Sequence, residues 1–159
     1  MFFPIEKIRP LTHQEVFDIA LRTMRNRGYT KSVNKESDTC MYRSSVGPCA
    51  IGACIPDALY EPEIESGTRY GGGIGVLMHS DNFKQISKLF SNCNVRFLEG
   101  VQNCHDDISE ILLGIDERKQ FFENKMYEVT RIYNLEFTGL NEQYPTDYDP
   151  NKDERYQLK

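Results

Sequence analysis

The sequence predicts an α+β fold: a mainly helical single domain with a small β-hairpin and a loop-rich middle. Three observations carry this reading. Apolar residues recur at three- and four-residue steps in four stretches, which is the spacing that places them on one face of a helix. A short alternating stretch begins at Thr39, where a polar run ends. Between Pro56 and Gly75, prolines at 56 and 62 and five glycines forbid a long regular element.

The first helix follows a short arm containing Pro4 and Pro10. Thr12-His13-Gln14-Glu15 has capping-box spacing, in which a hydroxyl and a carboxylate satisfy the free amides of a first turn. Val16, Phe17, Ala20, Leu21 and Met24 form its apolar stripe, and Gly28 stands where a left-handed cap ends a helix. Residues 29–38 are polar and turn-rich. Thr39–Arg43 then reads as a strand, with Cys49–Ile55 as its partner across the turn Ser44-Ser45-Val46-Gly47-Pro48. Gly71-Gly72-Gly73-Ile74-Gly75 reads as a mobile hinge or lid.

Three further helices are predicted. Ser80-Asp81-Asn82 caps one that runs to about Ser91 and buries Phe83, Ile86, Leu89 and Phe90. A second spans Val95–Leu113 with Leu98, Val101, Ile108, Ile111 and Leu112 inward, and Gly100 weakens it by about 1 kcal/mol. The third spans Asp116–Asn134, with Phe121, Phe122, Tyr127, Val129 and Ile132 as its apolar residues. Residues 1–140 are read as the globular domain and 141–159, with Pro145, Pro150 and three tyrosines, as a flexible tail.

At 159 residues the chain fits one core of ordinary size, and 39% hydrophobic content argues against disorder. No run approaches the ~18 apolar residues of a membrane span, and the start lacks the pattern of a signal peptide. Five cysteines, an odd number, are therefore expected as reduced intracellular thiols. A net charge of −5 excludes a strong non-specific grip on nucleic acid, which depends on neutralising phosphates. A local basic cluster remains at Arg22, Arg25, Arg27, Lys31 and Lys35.

The richest segment for chemistry is Cys40–Asp57, which holds Cys40, Cys49 and Cys54 together with Arg43 and Asp57. Zinc is one reading of the thiols, with Cys93, Cys104, His105 and His79 as distal ligands. However, eight residues separate the first pair and four the second, whereas structural zinc sites close each half with two to four. Buried small thiols are the plainer account. Cys49 is the thiol to test as a nucleophile, with His105 as base and Asp106 or Asp107 to orient it. Arg43 and Arg69 offer forked donors to a phosphate or carboxylate. The glycine run lacks the Lys-Ser/Thr ending of a P-loop.

His105-Asp106 is similar to the metal-binding pair of the HD phosphohydrolases, with His79 as an upstream ligand, although the later helical aspartate of that family has no match here. A more extended resemblance joins Cys40-Met41-Tyr42-Arg43, Gly47-Pro48-Cys49-Ala50-Ile51-Gly52, Ile55-Pro56-Asp57 and Tyr60-Glu61-Pro62-Glu63. Together with Leu11–Phe17 and the Val101–Asp106 segment, these residues resemble a family of short uncharacterised tailed-phage proteins. The likeness covers about residues 11–135. It departs from the family pattern at Ser44-Ser45, where glycine is usual, and at Ala53-Cys54, where a cysteine commonly comes one position earlier.

That resemblance implies a phage accessory protein acting by binding in the host cytoplasm, as a counter-defence inhibitor or a sponge for a nucleotide signal. No cofactor is expected. The implied partners are a host protein or a nucleotide-like small molecule, without membrane. Arg43, Asp57, Tyr60, Arg69, His105 and Asp106 are the expected contacts. The alternatives are a small hydrolase using metal at His79, His105 and Asp106 or thiol chemistry at Cys49, and an assembly module that forms homo-oligomers. The Cys40–Asp57 loop and His105-Asp106 are expected to wall one pocket.

Overall fold

The helix α1, His13–Asn26, starts where the sequence places it. Thr12 Oγ1 accepts from the Glu15 amide at 3.1 Å, and Glu15 Oε1 accepts from the Thr12 amide at 3.0 Å, completing the capping box. All five stripe residues are fully buried, and Gly28 turns the chain out with φ +66°. In this computed structural model, residues 3–65, 73–109, 114–137 and 143–157 are described.

The strand expected at Thr39–Arg43 is divided between two antiparallel hairpins. β1, Val33–Asn34, pairs with β2, Thr39–Cys40, in the register Val33 to Cys40. β3, Arg43–Ser44, pairs with β4, Gly47–Pro48, in the register Arg43 to Pro48. The partner strand expected at Cys49–Ile55 is absent. After β4 the Cys49 amide still donates to the Tyr42 carbonyl at 2.9 Å, and the chain then enters a 3-10 turn at Gly52–Cys54, with Gly52 packed directly against that carbonyl. Further 3-10 turns follow at Asp57–Leu59 and Pro62–Ile64.

The glycine run does not stay a hinge where it is described. Gly73 N-caps α2, Ile74–Met78, which buries Ile74 and Leu77. Ser80 Oγ caps a 3-10 turn at Asp81–Phe83, and α3, Lys84–Leu89, follows. Phe83, Ile86, Leu89 and Phe90 are all buried as expected. α4 runs from Val95 to Asp106, shorter than predicted, and Ile108 is buried beyond its end. Ile111 and Leu112 lie outside the described residues, as do Arg69, Gly71 and Gly72.

α5, Ile115–Tyr133, ends in a left-handed cap at Asn134, φ 52°. Its inward side is Phe122, Met126, Val129 and Thr130, whereas Tyr127 and Ile132 face outward, 50% and 72% exposed. Helical phase decides this, since Phe122, Met126 and Val129 follow steps of four and three. α4 lies between α2 and α5, and α1 packs on α4, α5 and the Gly52–Cys54 turn.

Residues 143–157, expected as part of a loose tail, lie against α1. Asp18 accepts from the Thr146 amide at 2.9 Å and its hydroxyl at 3.0 Å. Tyr156 is buried, and its hydroxyl accepts from the Arg9 amide at 2.9 Å. These partners are 128 and 147 residues away along the chain, so local composition does not announce them. No helix among the described residues is long and apolar enough to cross a membrane.

Candidate functional site

One carboxylate organises the Cys40–Asp57 loop. Glu65 is buried and accepts from the Tyr42 amide at 2.8 Å, the Arg43 amide at 3.0 Å and the Tyr60 hydroxyl at 2.7 Å. Hydrogen bonds to an ionised acceptor are among the stronger ones, each worth about 1.5–3 kcal/mol. Glu65 sits in the run Glu61-Pro62-Glu63-Ile64-Glu65, where three acids look alike, so no pattern in the sequence marks the buried one.

Glu65 fixes the backbone of Arg43, and three contacts fix its side chain. Nη1 donates to Asp57 Oδ1 at 2.7 Å, Nη2 donates to the Ile55 carbonyl at 2.7 Å, and the guanidinium lies 4.2 Å from the Tyr60 ring centre. The structure therefore brings Arg43, Asp57 and Tyr60 together. The ring face of Tyr60 that faces Arg43 is already occupied by the guanidinium.

Arg43 and Asp57 line a pocket of about 390 Å³ between α1 and the second hairpin. α1 contributes Arg22, Thr23 and Asn26; the hairpin adds Ser44 and Gly47, and Asp149 and Asn151 enter from the C-terminal segment. Arg22 uses Nη2 to donate to the Tyr148 carbonyl at 3.0 Å. Next to the pocket wall, the mostly buried Arg27 donates to the carbonyls of Thr30 and Pro48 and meets Met24 Sδ. Neither Arg22 nor Arg27 forms an ion pair with a carboxylate among the described residues. Burial holds the Arg27 pKa below its ordinary value.

A second, smaller cavity of about 130 Å³ is lined by Cys40, Tyr42, Cys49, Gly73, Gln102 and Asp106. The Cys40–Asp57 loop and Asp106 thus do share a wall. At its edge Cys40, His105 and Asp106 present ligand-type atoms within 4.8 Å of one another. His79 is not one of them; it is exposed on a shallow groove beside Ser80, Asp81 and Lys84. The metal set expected from sequence is corrected accordingly.

Hydrogen bonding at His105 disfavours a metal there. The Ser32 amide lies 2.8 Å from His105 Nε2 and can only donate, so Nε2 carries the lone pair and Nδ1 the proton. Nδ1 then donates to Asp106 Oδ1 at 2.7 Å. A metal on Nδ1 would need the proton moved to Nε2, setting two donors face to face. Burial also lowers the His105 pKa, against the opposing pull of Asp106.

Nor does Cys49 have the surroundings of a nucleophile. It is buried, its sulfur accepts from the Gly52 amide at 3.2 Å, and burial pushes its thiol up to about 12. Cys40, the least buried of the five, is pushed up to about 11 by burial and by the Asp106 carboxylate. Comparison with family models, curated proteins and solved structures found no match.

Proposed function

We propose that the protein acts by binding, and that its ligand is a nucleotide-like anion held in the pocket between α1 and the second hairpin. The observation that carries the reading is the pair of forked donors Arg22 and Arg43 on one pocket of about 390 Å³, set against the carboxylates of Asp57 and Asp149, with Thr23, Asn26, Ser44 and Asn151 as neutral polar groups around them. Pockets of this size, with a few convergent polar groups, suit small molecules. Arg43 is held by its stacking and its carbonyl contact, so its charge is in place before a ligand arrives. Its ion pair with Asp57, whose side chain is 83% exposed, is of a kind worth about 0–1 kcal/mol, and an incoming phosphate can displace it. In a tailed phage such a protein would act in the host cytoplasm as a sponge for a nucleotide signal or as an inhibitor of a host defence component.

Native mass spectrometry of protein purified gently from expressing cells, followed by calorimetric titration with ATP and inorganic pyrophosphate, tests this. A bound nucleotide is expected, together with a loss of affinity of about 10-fold or more in Arg22→Gln and Arg43→Gln. A protein that carries neither nucleotide nor host partner, and takes up neither probe, would falsify the reading. The outward Tyr127 and Ile132 of α5 favour a second reading, self-association, which a strictly monomeric mass across micromolar concentrations would remove.

A further inference from the structure

Two of the groups on the α1 pocket, Asp149 and Asn151, come from a segment that α1 itself holds in place. Asp18 is 1% exposed and accepts three hydrogen bonds: from Gln14 Nε2 at 2.9 Å and from the amide and hydroxyl of Thr146. One turn further along the same face, Arg22 donates to the Tyr148 carbonyl. In the pocket wall itself, the Asn151 side-chain oxygen accepts from the Asp57 amide at 3.2 Å. Arg9 stacks 4.0 Å from the Tyr148 ring centre. The segment is thus pinned before the lining residues at Thr146 and Tyr148, at the lining Asn151, and after them at Tyr156, whose hydroxyl accepts from the Arg9 amide, and Arg22 belongs both to the pocket and to the pin.

We infer that residues 143–157 form a wall of the ligand site, and that Asp18, which does not line the pocket, is the positioning residue that sets its affinity. This rests on the reading that Arg22 and Arg43 receive an anion. Among the described residues, Asp18 meets both donors of Thr146. Without it, Asp149 and Asn151 lose their fixed place and Arg22 loses the carbonyl that orients its fork. Binding and docking of the segment are then linked, and linkage is reciprocal: whatever the docked segment adds to ligand affinity, the ligand adds to docking of the segment.

The test uses the full chain with ATP and inorganic pyrophosphate as probes, reading affinity by calorimetry and exposure of residues 143–157 by hydrogen exchange. Asp18→Asn leaves one acceptor oxygen where two now serve the donors of Gln14 and Thr146, and sets an amide donor against one of those partners. It is expected to speed exchange of 143–157, leave α4 and α5 unchanged, and weaken ATP binding by about 10-fold or more. Thr146→Val is expected to do the same to a smaller degree, whereas Thr146→Ser keeps both donors and behaves as the parent. Saturating ATP is expected to slow exchange of 143–157 in the parent protein. Unchanged ATP affinity in an Asp18→Asn protein whose segment exchanges freely overturns the inference and leaves the anion site standing. Failure of the parent protein to bind either probe removes both, even if Asp18→Asn still frees the segment.

Discussion

Gly52 lies so close beneath Tyr42 that a methyl group on its α-carbon would overlap the Tyr42 carbonyl oxygen and sit 2.8 Å from the carbonyl carbon. The obstruction is backbone, which cannot swing aside as a long side chain can. Gly52→Ala is therefore expected to cost more than about 3 kcal/mol in urea unfolding, at the severe end for single substitutions. Gly100 in α4 is the contrasting case. Its added methyl would meet only Val129 Cγ2, at 3.9 Å, so Gly100→Ala is expected to stabilise by about 0.5–1 kcal/mol. Equal effects at the two positions would contradict the packing described.

Glu65→Gln keeps the size of the side chain but replaces one acceptor oxygen with a donor that faces amide or hydroxyl donors. A loss of about 2–4 kcal/mol in chemical denaturation is expected, with weaker nucleotide binding because Arg43 loses its backbone anchor. A variant as stable as the parent would mean that the carboxylate does not organise the loop.

His105 supplies a pH dependence with a defined sign. Its pKa in the folded protein lies below the ordinary value, so the unfolded chain takes up the proton first. Stability is then unaffected well above pH ~6.5 and falls as pH drops from there toward the folded pKa, by at most about 1.4 kcal/mol per pH unit. His13 is shifted the same way by burial, so the parent must be compared with His105→Gln, which keeps an acceptor for Ser32. The parent is expected to lose more stability than the variant between pH 7.5 and 5.5. Identical slopes would remove the buried neutral imidazole.

The thiols offer a direct check on the site chemistry. Iodoacetamide at neutral pH is expected to modify Cys40 slowly, and Cys49, Cys54, Cys93 and Cys104 only when the protein unfolds, as counted by mass spectrometry. Fast labelling of Cys49 in the native state would revive the thiol-catalyst reading.

Features that depend on near neighbours were legible in the sequence. The Thr12 and Glu15 box, the stripe of α1, the cap at Gly28 and the buried side of the Phe83–Phe90 stretch all follow from residues within a turn or two of one another. The hairpins were only half legible, because two-residue strands carry too little alternation to fix their pairing. The expected contact set of Arg43, Asp57, Tyr60, Arg69, His105 and Asp106 divides: the first three lie together, His105 and Asp106 lie at the smaller cavity, and Arg69 lies outside the described residues. Asp18 with Thr146 and Ser32 with His105 were not legible, since those pairs are 128 and 73 residues apart and their geometry exists only in the folded chain. The apolar spacing of Val95–Leu113 continues past Asp106, where the described helix stops.

The position of Arg22, Arg27 and Arg43 in a chain of net charge −5 has a kinetic consequence for any anion bound beside them. The net charge repels such an anion at a distance, whereas Arg22 and Arg43, set against Asp57 and Asp149 on the same pocket, meet it at contact range. Screening acts over about 10 Å at 0.1 M salt, so modest salt weakens the outer barrier before it weakens the contact pair. The association rate would then rise with ionic strength at first and decline only at higher salt, the reverse of the monotonic slowing seen when a basic protein captures an anion.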